Sequence, residues 1–167
     1  MIYDTVNAQF VKMLQNLTKI LDKAAAYSET KKFDAEVLLR SRLFPDQFEL
    51  TRQIQIVCDT AKLASSRLAA KEAPVHADNE KSIPELKTRI ESVISYLNTF
   101  RPEDYAGAEQ RRITQTRWQG KTMSGHEYVN QHAIPNFYFH LTTAYAILRH
   151  NGVEIGKGDY LGPLPLV

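Results

Sequence analysis

The sequence contains a single cysteine, Cys58, so no disulfide can form within the chain, and a reducing compartment, the cytoplasm, is its expected address. No charged segment followed by an apolar run opens it, and the first residues, MIYDTVNAQF, are interrupted by polar side chains. No apolar run approaches the roughly 20 residues that span a bilayer, so a soluble chain without a membrane partner is expected. Charge of one sign is also missing. The 21 basic and 19 acidic residues are interspersed and leave a net charge of +2, with no basic stripe to follow a phosphate backbone, so nucleic acid is not an expected partner. The chain lacks the glycine-rich loops G-x-x-x-x-G-K-[ST] and G-x-G-x-x-G, the G-x-S-x-G turn of a serine nucleophile and the C-x-x-C pair of thiol redox. Its one thiol sits beside Asp59, whose charge raises a thiol pKa, so an inert cysteine is expected. Repeats and low-complexity tracts are absent, and 167 residues suit one compact domain.

What is present is helical periodicity. Between Asp4 and Tyr27, apolar side chains fall at Val6, Phe10, Met13, Leu14, Leu17, Ile20, Leu21 and Ala24, steps of three and four that align one stripe along a helix. In FDAEVLLRSRLFPD, Asp34 offers an N-cap for a short helix that Pro45 would stop. Leu50, Ile54, Val57, Ala61, Ala64 and Leu68 mark a second long helix from Gln47 to about Lys71, with Lys62, Arg67 and Lys71 expected outside. After the polar EAPVHADNEKS, Ser82 caps a third helix with Pro84 in its first turn and Leu86, Ile90, Val93, Ile94 and Leu97 inside, ending near Phe100. RRITQTRW, in rough alternation, predicts a short hairpin or extended excursion. Ser124 then caps a last helix to about His150, closed by Asn151 and Gly152 and kinked near Gln131 by Pro135. Residues 153–167 read as an irregular strap. These elements predict an all-α four-helix bundle, antiparallel, with Leu14, Leu17, Val57, Ala61, Ile90, Leu97, Ile147 and Leu148 in its core.

Bundles hold ligands and metals between facing helices, so polar residues on buried faces are the candidates for a site. At about 100° per residue, Gln53 lies within roughly 60° of Leu50 and about 40° of Val57, at the edge of the buried face, while Gln55 points to solvent. On the last helix His132, Asn136 and His140 follow one another at four-residue steps and share a face. Two such side chains with one from the second helix have the arrangement of a metal site. A histidine or glutamine on an apolar face also has a plainer use, satisfying buried hydrogen bonds. His76, His126 and His150 fall in a loop or at helix ends and read as solvated. Phe137, Tyr138 and Phe139 read as core, or as a homodimer interface, before they read as a stacking platform.

The order of four long helices with an excursion before the last, and above all HLTTAYAILRHNG at 140–152, resembles the DinB-like superfamily of metal-binding bundles. Within it, MIYDTVNAQFVKMLQNLTKILDKA, LFPDQFELTRQIQIVCDTAKLAS and PNFYFHLTTAYAILRHNG are similar to a bacterial family described as a domain of unknown function. The similarity covers nearly the whole chain, 1–167, as a single domain of that type. The resemblance implies a divalent metal held by three histidines, one from the second helix and an H-x-x-x-H pair from the last. His140 matches the second of that pair. Asn136 stands at the first, and Gln53 or Ile56 stands where the second-helix histidine falls. A Zn or Ni site needs three or four good ligands, so no cofactor is expected, and a divalent metal bound nonetheless would take His140, Asn136 and His132.

Two readings of function follow. In the first, the protein is a ligand-binding or structural bundle, a homodimer, with a small polar pocket for a small molecule between helices two and four, formed by Gln53, Asn136 and His140. In the second, it is a metal-dependent enzyme of the superfamily type with an atypical site around His140. A regulatory subunit that docks another protein through its aromatic last helix is a third reading. No residue is assigned a catalytic role.

Overall fold

A computed structural model describes residues 2–167. A run of π-turns over Tyr3–Ala8 leads into α1 (Gln9–Lys31), and the predicted apolar stripe is the buried face of this continuous helix. In the short α2 (Glu36–Leu39), Asp34 Oδ1 accepts from the Glu36 N–H at 2.9 Å. This helix stops well before Pro45. Its end is taken by the next helix: Leu39 O accepts from Thr51 Oγ1 at 3.2 Å and Ser41 O from the Leu50 N–H at 3.0 Å, so the chain turns back early.

The next two elements are α3 (Leu50–Ala69) and α4 (Ile83–Leu97). Ser82 and Glu85 form a reciprocal cap at the start of α4, each side chain accepting from the other's backbone N–H. Helix α1 runs antiparallel to α4, with Asn7 Nδ2 donating to Leu97 O at one end and Lys87 paired with Asp22 toward the other. Helices α3 and α4, however, run parallel, which corrects the all-antiparallel expectation. Asp59 meets Arg89 midway, and Tyr96 Oη donates to Glu72 O just past the end of α3. Their connection makes this arrangement feasible. The 20 residues of α3 rise about 30 Å, and residues 70–82 reach about 40 Å when extended.

That connection is a strap lying back along α3. Arg89, with its side chain 1% exposed, pairs with Asp59 on α3 at 2.8 Å and with Asp78 and Glu80 on the strap at 2.6 and 3.0 Å. Beneath the strap lie Gln55, bonded to Glu80, and Lys62, whose Nζ is 2.7 Å from His76 Nδ1. Gln55 and Lys62 are buried and His76 is half-buried, against the expectation of solvent for all three. Helical periodicity measures a helix against its neighbouring helices and is blind to a polar strap laid over its outer face.

The excursion contains a two-strand ribbon, β1 (Arg112–Ile113) and β2 (Met123–Ser124), antiparallel with Arg112 opposite Ser124, and a 3₁₀ turn at Thr116–Trp118. Ser124 then caps α5 (Gly125–Tyr128), a π-turn run follows at Val129–Ala133, and α6 (Ile134–His150) completes the last long helix. Pro135 has no N–H to offer the carbonyl four residues back, and the helix widens at that place, where the kink is predicted. The last residues are not irregular throughout. Asp159 Oδ2 accepts from the Gly156 N–H at 2.9 Å and starts α7 (Lys157–Leu161), which is tied to α1 by Lys23–Asp159 at 2.7 Å and by Asn16 Nδ2 on Tyr160 O at 3.0 Å.

The eight side chains expected in the core are all buried. Phe137 also stacks inside, on Phe10 with ring centres 3.9 Å apart, whereas Phe139 is 58% exposed. The long helices form a ring in the order α1, α4, α3, α6, and the widest contact is between α3 and α6. Among the described residues no helix is long and apolar enough to cross a membrane.

Candidate functional site

The seam between α3 and α6 carries three polar rungs. On α3, Gln53, Thr60 and Arg67 stand seven residues apart, and seven steps of about 100° bring a side chain back to within roughly 20° of where it began. On α5 and α6, Tyr128, Asn136 and His140 present the partners. Gln53 Oε1 lies 2.7 Å from His140 Nδ1, Asn136 Nδ2 donates to Thr60 Oγ1 at 2.8 Å, and Arg67 Nη1 donates to Tyr128 Oη at 3.1 Å. One set of numbers rises as the other falls, so these helices are antiparallel.

Beside the rungs lies an open groove of about 500 Å³. Phe48, Ile56 and Leu63 supply its apolar wall, Arg52, Arg67 and Arg117 its charged wall, and Thr60, His132, Asn136 and His140 lie between them. Gln115 and Thr116 of the excursion close one side.

His140 is fixed in one protonation state. The Gln53 amide donates its Nε2–H to Phe48 O at 2.9 Å, which turns Oε1 toward the imidazole. Nδ1 of a neutral His140 therefore carries the proton, and Nε2 keeps its lone pair. Burial, reinforced by the charges of Arg52 and Arg117, lowers the His140 pKa from the ordinary 6.5 to about 4. Nε2 has no hydrogen-bond partner among the described residues.

His132 is neutral for the same physical reasons, burial first and then Arg117 and Arg67, but its lone pair is engaged. Its Nε2 accepts from Gln115 Nε2 at 3.1 Å and from Arg117 Nη2 at 2.5 Å. The ring stacks on Tyr128 and meets the edge of Trp118. Asp59, the one carboxylate on the groove lining, is held by Arg89 at 2.8 Å and Lys62 at 2.9 Å. Cys58 is fully buried, and that burial pushes its thiol up to about 12, which removes it as a nucleophile at neutral pH.

Of the residues singled out in the sequence, Gln53 and His140 are in direct contact, and Asn136 sits on the next rung against Thr60. His132 faces the excursion. This donor set does not fit the tri-histidine metal group of the resemblance. His140 offers one nitrogen, the His132 lone pair is spent on Arg117 and Gln115, and two guanidiniums act on the place a divalent cation would occupy. Among the described residues no three His, Cys, Asp or Glu side chains are grouped to hold a metal ion. Sequence reasoning missed Arg52, Arg67, Gln115, Arg117 and Tyr128. The seven-residue spacing from Gln53 to Arg67 and the four-residue spacing from Tyr128 to His140 were signals for two of them. Arg52, Gln115 and Arg117 join through the strap or the excursion, which no helical period reports.

Compared with known proteins, residues 2–161 match the model of a family described as a domain of unknown function, DUF1993. Among solved structures, a DinB family member protein from Shewanella denitrificans is 55% identical, with a TM-score of 0.97, and the match covers 100% of this chain and 95% of that one. No curated protein matches.

Proposed function

The chain belongs to the DUF1993 family, a DinB-like family, and from that premise we propose that it is a non-catalytic binding protein whose groove between α3 and α6 receives a small organic molecule against Asn136 and His140, with Gln53 buried behind the imidazole and outside the groove lining. The observation that carries this reading is the Gln53–His140 pair. It fixes the tautomer of an imidazole that burial keeps neutral, and so presents an unshared Nε2 lone pair to a groove large enough for a small ligand. Such a nitrogen accepts a hydrogen bond from a ligand N–H or O–H.

The same geometry supports binding over turnover. A general base works best with a pKa near the working pH, and His140, at about 4, is a weak base at neutrality. The groove's carboxylate is neutralised by Arg89 and Lys62, and its nearest thiol is sealed in the core. Metal-assisted chemistry of the superfamily type lacks the ligand set it needs.

Metal analysis tests the reading against the enzyme of the superfamily type. Protein purified without a histidine tag should hold well under one equivalent of Zn, Ni or Fe, and chelator should leave its Tm unmoved, because a metal bound only to the folded state would raise it. Near-stoichiometric metal that is lost in His140→Ala would overturn the reading in favour of the metal-dependent enzyme.

A further inference from the structure

We propose that the groove selects an organic anion, a carboxylate or phosphate head gripped by Arg67 and Arg117 with an apolar body lying against Phe48, Ile56 and Leu63. The proposal rests on the groove being a ligand site and adds the chemical class of the ligand.

The charges on the groove's outer side already balance. Arg52, Lys62 and Arg89 face Asp59, Asp78 and Glu80 in one connected set of ion pairs, three cations against three carboxylates. Two guanidiniums stand outside that set. Arg67 donates only to the Tyr128 hydroxyl at 3.1 Å and to Gln115 Oε1 at 3.5 Å, and Arg117 only to His132 Nε2 at 2.5 Å. Neither has a carboxylate within ion-pair distance among the described residues. Gln115 joins them, accepting from Arg67 through Oε1 and donating to His132 through Nε2, so both cations border the same part of the groove.

Each guanidinium has five N–H donors in a fork that suits two oxygens at once, and most of these donors are unspent here. A walled groove concentrates the field of such charges, and a charge-assisted bond to an oxyanion is about twice as strong as a neutral one. The field is already felt inside. Arg117 is among the causes that hold both His132 and His140 in their neutral form. A neutral ligand would leave both charges without a counter-charge.

The test titrates the full chain with benzoate, phenyl phosphate and the neutral benzyl alcohol, followed by calorimetry and by the amide NMR signals of Gln115, Arg117, Asn136 and His140. Both anions should shift these signals, and at least one should bind about tenfold or more tightly than benzyl alcohol. The tighter of the two names the head group. Arg117→Gln, at an exposed position on the 3₁₀ turn, should remove that advantage, as should Arg67→Gln. Arg149→Gln, exposed in the last turn of α6 and outside the groove, should not. Equal binding of benzyl alcohol and the anions at these signals would overturn the anion proposal and leave the ligand groove standing. Anion binding untouched by Arg117→Gln would overturn the assigned seat of the head group. If none of the three probes moves the groove signals at millimolar concentration, the groove reading and the proposal fail together.

Discussion

At the scale of single residues, His140 ties stability to pH. Its folded pKa, about 4, lies below the ordinary 6.5 of an unfolded histidine, so the unfolded chain takes up the proton first. Its contribution is complete above pH 6.5 and is lost as pH falls from there toward 4. His76 and His132 are shifted in the same direction, chiefly by burial. Thermal melts should therefore show Tm already dropping between pH 6.5 and about 5.5, before carboxylates begin to protonate, and His140→Asn should shallow that slope without abolishing it. Gln53→Leu strands the Nδ1–H of His140 and should cost about 1–3 kcal/mol in a urea titration. The Gln53 and His140 positions were readable because both side chains interrupt apolar helix faces. Their bond to each other was not, since it depends on how far one helix slides along the other.

At the scale of elements, the helices were legible and the connections were not. Apolar residues at steps of three and four define α1, α3, α4 and α6, and Ser82, Ser124 and Pro135 mark their local features, because each of these signals acts within one or two turns. The strap at 70–82 has no period of its own. It is held by ion pairs to Arg89, whose partners come from two separate stretches of chain, α3 and the strap itself. Arg89→Met should cost about 1–3 kcal/mol, because it removes the buried guanidinium that joins the strap to α3 and α4, and Arg89→Lys should not restore it, since one ammonium cannot replace two guanidinium nitrogens aimed at three carboxylates. Gly125 is a second element-level test. A Cβ there would lie 1.8 Å from Ala108 O, a backbone atom of the excursion. Gly125→Ala should therefore displace the excursion and lower stability by about 1–3 kcal/mol, with faster hydrogen exchange at the His126 amide, which bonds Glu109 O.

At the scale of the whole molecule, the ring α1, α4, α3, α6 buries one continuous core, and Leu97→Ala or Ile147→Ala should each cost about 2–5 kcal/mol. The parallel pairing of α3 and α4 escapes the sequence because core positions are the same for either direction of a helix. The wide contact between α3 and α6 has a consequence for how the chain is made. Between the end of α4 at Leu97 and the end of α6 at His150 lie about 50 residues, and synthesis proceeds at about 5–20 residues per second. For several seconds, then, a nascent chain holds α1, α3 and α4 outside the ribosome while the apolar side of α3 waits for a cover that has not been translated. The cell meets this protein first as an adhesive three-helix fragment, and a chain ended before Gly125 would remain one, sedimenting with aggregates where the full chain stays in solution.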